Sequence, residues 1–140
     1  MNKTKIYLAG KMSGLTFEEM NTWRIEAINL LKLHNDNIHT QNPCDYYNFE
    51  LDPSTFTDKE CKEFDLFLVK NCDIILVNLD YPDSIGTAIE MEMASRWNIP
   101  VIAFGTREDV HPWMKLNVTK WCKTMEEAIE HILGFYVPNI

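Results

Sequence analysis

The chain has 140 residues, a net charge of −8 and a pI of about 4.9. A chain of this length predicts a single domain, residues 1–140, built around one core. Its acidity excludes a nucleic-acid polymer as partner, because phosphate backbones are held by clustered Lys and Arg. A mononucleotide stays possible, since one phosphate needs only a few N–H groups and one Lys.

No apolar run is long enough to cross a bilayer, and no cleavage-site pattern follows Lys3 and Lys5. We therefore expect a cytoplasmic protein that does not interact with membranes. The four cysteines stand singly, without a CxxC pair or a His at metal-ligand spacing. This pattern favours free thiols in a reducing compartment and predicts neither a metal site nor a cofactor.

The first half of the chain alternates strand and helix patterns. Residues 5–9 (KIYLA) predict a strand, and Thr16 with Glu19 predicts a capping box that opens an amphipathic helix. That helix presents five apolar residues on one face: Met20, Trp23, Ala27, Leu30 and Leu31. A strand near Ile38 follows, and residues 43–56 predict a long loop that is rich in polar and aromatic residues.

The second half continues the alternation. Thr57 and Glu60 form a second capping box for a helix that ends near residue 71. Residues 73–79 are a nearly continuous apolar strand, as expected when both faces of a parallel sheet are covered. A helix over about 86–97, a strand over 100–104 and a C-terminal helix over 124–134 follow, the last opening on a predicted capping box of Thr124 and Glu127.

This order predicts an α/β fold: a single flavodoxin-like or Rossmann-like doubly wound parallel sheet of about five strands with flanking helices. Ligands bind such sheets in a crevice at the carboxyl ends of the strands. The rule points at four segments, which follow the predicted strands: residues 10–14, 42–47, 80–90 and 105–113.

Glu90 is the strongest candidate for chemistry. It lies about one turn inside the helix that follows the buried strand, where partial burial would raise the pKa of its carboxyl group. A carboxylate is a suitable nucleophile for sugar C1′, because the transition state there is oxocarbenium-like. On spacing alone, a solvated glutamate favoured by the helix dipole is the better explanation of the residue.

Three stretches together resemble the nucleoside 2-deoxyribosyltransferase superfamily. Residues 81–94 (YPDSIGTAIEMEMA) are similar to its signature, the N-terminal KIYLAGKMSG to its opening strand and loop, and residues 61–73 (CKEFDLFLVKNCD) to its central helix. The resemblance implies that Glu90 attacks C1′ and forms a covalent glycosyl-enzyme. It also implies that Tyr7 orients this carboxylate, that Asp65 binds the base or assists its protonation, and that the protein is a homodimer or larger oligomer.

Ser84 distinguishes branches of the superfamily, because the transferases usually carry an Asp six positions before the nucleophile. A Ser there resembles the branch that hydrolyses nucleoside 5′-monophosphates, where a neutral hydroxyl contacts the phosphate. The predicted substrate-binding residues are Gly10, Lys11, Ser13, Gly14, Asp83, Ser84, Gly86 and His111. Glu92 replaces a usual Gly, and Pro112 falls where the family has a polar residue that reaches the neighbouring subunit's site, so His111 or Asn117 is expected to substitute.

Three functions remain open at this point. Hydrolysis of the N-glycosidic bond of a (deoxy)nucleoside 5′-monophosphate agrees with Ser84. A deoxyribosyltransferase would pass the sugar to a second base, and a non-catalytic nucleotide sensor would keep the fold without turnover. Trp113, Tyr46 and Tyr47 could stack on a base or simply pack against the core.

Overall fold

The computed structural model describes residues 3–46 and 55–140, so Tyr47 and most of the predicted 43–56 loop lie outside the described residues. Five parallel strands form one sheet: β1 (Thr4–Ala9), β2 (Ile38–Gln41), β3 (Ile74–Asn78), β4 (Val101–Phe104) and β5 (Lys120–Cys122). The helices are α1 (Phe17–His34), α2 (Asp58–Lys70), α3 (Ile85–Arg96), α4 (Pro112–Lys115) and α5 (Met125–His131). The predicted fold class is confirmed.

The strand order is β2-β1-β3-β4-β5. β1 pairs with β2 on one side and with β3 on the other, with Tyr7 opposite Ile75. The chain therefore reverses its direction of winding between β1 and β3, and the carboxyl ends of these two strands flank the crevice where such folds bind ligands.

Two apolar layers cover the sheet. On one face Ile6 and Leu8 of β1 pack with residues of α1 and α5. On the other face Tyr7 and Ala9 pack with residues of α2, α3 and α4. Successive residues of a strand point to opposite faces, and this alternation directs Tyr7 toward α2 and α3. Within the described residues, no helix combines the length and apolar character needed to cross a membrane.

The capping boxes at Thr16 and Thr57 are confirmed, with both reciprocal hydrogen bonds present in each. The third differs from its prediction. Thr124 caps α5 by accepting from the Glu127 backbone N–H, but the Glu127 carboxylate accepts from the backbone N–H of Lys123. The regular α-helix also ends earlier than predicted, at His131, and a π-helical turn covers Ile132–Tyr136.

Candidate functional site

Tyr7 and Glu90 meet under the crevice. Tyr7 is 1% exposed and Glu90 is 9% exposed, and the Tyr7 hydroxyl donates a hydrogen bond to the Glu90 carboxyl group. Glu90 lies on the inner face of α3 because it shares helical spacing with the buried residues Thr87, Met91 and Ala94. Burial raises the pKa of Tyr7 well above its usual value, and the negative charge of Glu90 adds to that rise. Tyr7 is therefore a neutral hydrogen-bond donor.

The Glu90 carboxyl group is strongly perturbed. Its pKa is raised to about 8, chiefly by burial; the charge of Asp65 adds to the rise, and the Tyr7 hydrogen bond and the Arg24 charge oppose it. Its Oε2 atom is buried and has no hydrogen-bond partner among the described residues. Buried polar atoms normally have a partner, so this unpartnered oxygen marks the Glu90 carboxyl group as a candidate functional group.

Asp65 is half-buried on α2. Its negative charge raises the pKa values of both Tyr7 and Glu90, which places it in their electrostatic neighbourhood. The fold thus brings the three predicted catalytic side chains together from β1, α2 and α3. Perturbed titratable groups that converge at a crevice are typical of functional sites.

Arg24 completes this constellation, and the sequence analysis missed it. The side chain is 0% exposed, and its Nη2 donates to the Gly10 carbonyl at 3.0 Å and its Nε to the Leu8 carbonyl at 3.2 Å. The signal was present in the sequence, because Met20, Arg24, Ala27 and Leu31 repeat at helical spacing and all four are buried. A charged residue at a core position of a helix indicates a specific partner.

The loop after β1 packs closely on α1. A Cβ atom on Gly10 would lie 2.9 Å from Trp23 Cζ2, so this Gly permits a close approach of the backbone. Gly14 has a φ of 84° and open space around it, which is the left-handed geometry of a turn. Ser13 is exposed. The predicted binding residues of this loop therefore include two glycines that the backbone itself requires.

Lys11 joins this loop to the N-terminus of α3. Its Nζ lies 2.7 Å from Asp83 Oδ2, and the Lys11 side chain is 19% exposed whereas that of Asp83 is 75% exposed. The hydrogen bond from Lys11 lowers the pKa of Asp83. The structure thus brings two predicted binding residues, 72 positions apart in sequence, into direct contact.

Ser84 is the N-cap of α3. Its hydroxyl oxygen accepts from the Thr87 backbone N–H at 3.2 Å and lies 2.9 Å from Thr87 Oγ1. Gly86 stands in the first turn with open space where a Cβ atom would be. Ser84 therefore has a structural task that the sequence analysis did not assign to it.

His111 lies elsewhere, in a mostly apolar groove of about 880 Å³ between α3 and α4. Asp83 and Ser84 reach one end of this groove, but Glu90 does not line it. The His111 ring caps α4 by accepting from the Trp113 backbone N–H. Asn117, the other expected substitute, donates to Glu92 Oε2 at 2.7 Å. Within one chain, the structure does not bring His111 or Asn117 to Glu90.

The described residues contain no group of three His, Cys, Asp or Glu side chains arranged to hold a metal ion. The groups that come together are the Glu90 carboxyl group, a neutral hydroxyl donor, a second carboxylate and a buried cation, from Tyr7, Asp65 and Arg24 in that order. Such a set can perform nucleophilic and acid–base chemistry.

Solved structures share this fold. A conserved protein from Enterococcus faecalis V583 has a TM-score of 0.76 at 20% identity, over 94% of this chain and 98% of that one. A 2-deoxyribosyltransferase from Bacillus psychrosaccharolyticus has a TM-score of 0.66 at 20% identity, over 90% of both chains. The CMP N-glycosidase of Clostridium botulinum has a TM-score of 0.58 at 19% identity, over 94% of this chain and 100% of that one. At these identities the likeness establishes the fold.

No curated protein matches the sequence. A family model does, over residues 4–103, which span β1 to most of β4 and include Tyr7, Asp65 and Glu90. That model is described as a domain of unknown function, DUF4406. With well over half of its residues inside the match, the chain is a member of the DUF4406 family.

Proposed function

We propose that the chain, as one domain of residues 1–140, hydrolyses the N-glycosidic bond of a (deoxy)nucleoside 5′-monophosphate. The observation that carries this proposal is the buried Glu90 carboxyl group, held by Tyr7 through one oxygen and unpartnered at Oε2. Two structures with the same fold support the class of reaction, one described as a 2-deoxyribosyltransferase and the other as a CMP N-glycosidase.

The reaction proceeds in two displacements. Ionised Glu90 attacks C1′, so that a C1′–O bond forms while the C1′–N bond breaks and its electron pair leaves with the base. Asp65 binds the departing base or assists its protonation, and the proton comes from solvent. Water then attacks C1′, the bond to Glu90 breaks with its electron pair returning to the carboxylate, and a water proton passes to solvent. Two displacements retain the configuration at C1′.

Only the ionised form of Glu90 can attack. With a pKa of about 8, roughly a tenth of the free protein has an ionised Glu90 at neutral pH. Tyr7 stabilises the charged form by its hydrogen bond and restricts the orientation of the carboxylate. We therefore expect kcat/KM to rise with pH up to about 8.

The 5′-phosphate binds at the N-terminus of α3 and the loop after β1. Lys11 supplies positive charge, and the first backbone N–H groups of α3 supply neutral donors beside the uncharged Ser84 hydroxyl. A phosphate would compete with Asp83 for Lys11, because the Asp83 side chain is exposed and free to swing into solvent. Ser13, Gly14 and Gly86 belong to the same two segments and add no negative charge.

Chromatography of the protein incubated with nucleosides and their 5′-monophosphates, with and without an added base, tests this function. Base released from monophosphates by wild type, and lost in Glu90→Gln, is the expected result. Glu92→Gln is the matched control, because Glu92 is on the same helix and outside the constellation. A new nucleoside that forms only with added base would identify a transferase. Tight nucleotide binding by both wild type and Glu90→Gln, without turnover in either, would identify a sensor.

A second variant tests the phosphate site. Ser84→Asp keeps a side-chain oxygen to cap α3 and adds a negative charge where the phosphate is proposed to bind. We expect about a tenfold lower kcat/KM for monophosphates and little change for nucleosides. An equal loss for both substrate classes would contradict the assignment.

We further propose that the protein is a homodimer or larger oligomer that forms through the groove between α3 and α4. Three large apolar side chains around it are highly exposed: Ile85 (82%), Trp113 (77%) and Leu116 (82%). Exposed apolar surface of this kind marks interaction sites. Sedimentation should give an oligomer for wild type and a monomer for Leu116→Glu. A monomeric wild type would overturn the proposal.

A further inference from the structure

Arg24 and Glu90 are the only two buried ionisable Arg, Lys, Asp or Glu side chains in the part of the chain that the structure describes. One is a cation on α1, the other an anion on α3 when ionised, and they approach the end of β1 from opposite faces of the sheet. Burying a charge is costly unless it is compensated. Two buried groups that can carry opposite charges lie near the same strand, so the cost of burying their charges must be considered together.

The contacts of Arg24 are with neutral groups. Its guanidinium donates to the carbonyls of Leu8, Gly10 and Met20, and its Nη1 lies 3.7 Å from Cys44 Sγ. It forms no ion pair with a carboxylate of a described residue. Hydrogen bonds to carbonyls satisfy its N–H groups but leave its net charge without a contacting anion.

Glu90 is the buried carboxyl group whose charge state is coupled to Arg24. Burial opposes the ionisation of Glu90, and three side chains act on it from the elements around it. Tyr7 of β1 donates to it, Asp65 of α2 opposes its ionisation and Arg24 of α1 favours it. The charge of Glu90 in turn raises the pKa of Arg24, against the lowering effect of burial. The interaction is reciprocal, as electrostatic coupling must be.

Geometry explains why an arginine suits this position. The planar fork reaches two carbonyls at the end of β1 and one on α1 at the same time, which a lysine ammonium group cannot match. The Gly10 carbonyl begins the loop that carries Lys11, and Tyr7 precedes Leu8 in the strand. One side chain thus contacts the backbone immediately after Tyr7 and immediately before Lys11.

We infer that Arg24 is a positioning residue for Glu90: it anchors the end of β1, the strand that carries Tyr7, and places a buried positive charge in the cluster around this carboxyl group. The inference rests on the proposed function for its catalytic meaning. Its electrostatic content is independent of turnover, so the two can fail separately.

Carboxyl-carbon NMR of glutamate-labelled protein tests the charge directly, with the Glu90 signal assigned by its absence in Glu90→Gln. Because the Arg24 charge lowers the pKa of Glu90, we expect the Glu90 titration midpoint to rise in Arg24→Gln, and Arg24→Lys to return it toward the wild-type value. Arg96→Gln, an exposed charge removal on α3, should leave it unchanged. An unchanged midpoint in folded Arg24→Gln would overturn the inference.

A second measurement needs no Arg24 variant and decides the question if Arg24→Gln does not fold. The chain has three arginines, so the Nε–H signals of Arg24, Arg96 and Arg107 can be assigned in wild type. We expect the Arg24 signal to move with the same midpoint as Glu90, and this movement to vanish in Glu90→Gln. An Arg24 signal that ignores the ionisation of Glu90 would refute the coupling.

Discussion

Replacing Glu90 with glutamine removes one titratable group from the interior while keeping the size of the side chain and an oxygen for the Tyr7 hydroxyl. The pKa of Glu90 rises from the usual 4.5 to about 8 on folding, chiefly because the carboxyl group is buried. Between these values the folded chain holds a proton that the unfolded chain has lost. The stability contributed by protonated Glu90 is therefore complete below about 4.5 and is lost as the pH rises through about 8.

The magnitude follows from the shift. At 1.36 kcal/mol per pKa unit, wild type loses about 3 kcal/mol relative to Glu90→Gln between pH 4 and pH 7. The difference reaches about 5 kcal/mol by pH 9, where the folded carboxyl group is also mostly ionised. All other groups titrate in both proteins, so the difference between their unfolding free energies isolates Glu90. The amide group of Glu90→Gln changes the unfolding free energy by an amount that is the same at every pH, so it does not affect the pH dependence.

Urea unfolding followed by circular dichroism at pH 4, 7 and 9 measures this difference. Glu92→Gln is the matched control with the opposite sign, because hydrogen bonds from Asn117 and Arg96 lower the pKa of Glu92. Glu92 contributes stability above its unfolded pKa, so its replacement should destabilise the protein at high pH. Parallel pH dependences for wild type and Glu90→Gln would refute the buried, proton-holding carboxyl group.

Three further predictions concern single contacts. Tyr7→Phe removes the donor that favours ionised Glu90, so the rising limb of a kcat/KM–pH profile should move to higher pH. Gly10→Ala places a Cβ atom 2.9 Å from the Trp23 ring and should lower the free energy of unfolding in urea by about 1–3 kcal/mol. Gly14→Ala should cost only about 1 kcal/mol, because its one penalty is the positive φ. Thr57→Ala breaks a capping box and should cost about 1 kcal/mol, measured in the same way.

Local patterns in the sequence predicted most of the fold. The capping boxes at Thr16 and Thr57 needed only a four-residue pattern, and the apolar run of β3 needed only its composition. The crevice followed from strand order and the carboxyl-end rule. β5 was not located because its three residues include a single buried one, Cys122, and give no period to read.

Contacts that span the chain were beyond sequence reasoning. The pairing of Lys11 with Asp83 joins residues 72 positions apart, and neither residue type indicates the other. Arg24 was not identified from the sequence, because its carbonyl partners at the end of β1 become known only with the fold. Ser84 was assigned to the substrate, whereas its hydroxyl also caps α3, a local role that the Ser-Ile-Gly-Thr spacing does indicate.

The separation between the constellation and the outer groove has a consequence for how such a protein can diverge. Tyr7, Arg24, Asp65 and Glu90 all precede β4, while much of the groove wall comes from residues 111–117 in and around α4. Substitutions in that short stretch would change what docks beside the N-terminus of α3 without altering the buried charges. We therefore expect chimeras that exchange only this stretch between family members to keep the reaction of one parent. Their choice of partner subunit should follow the other parent.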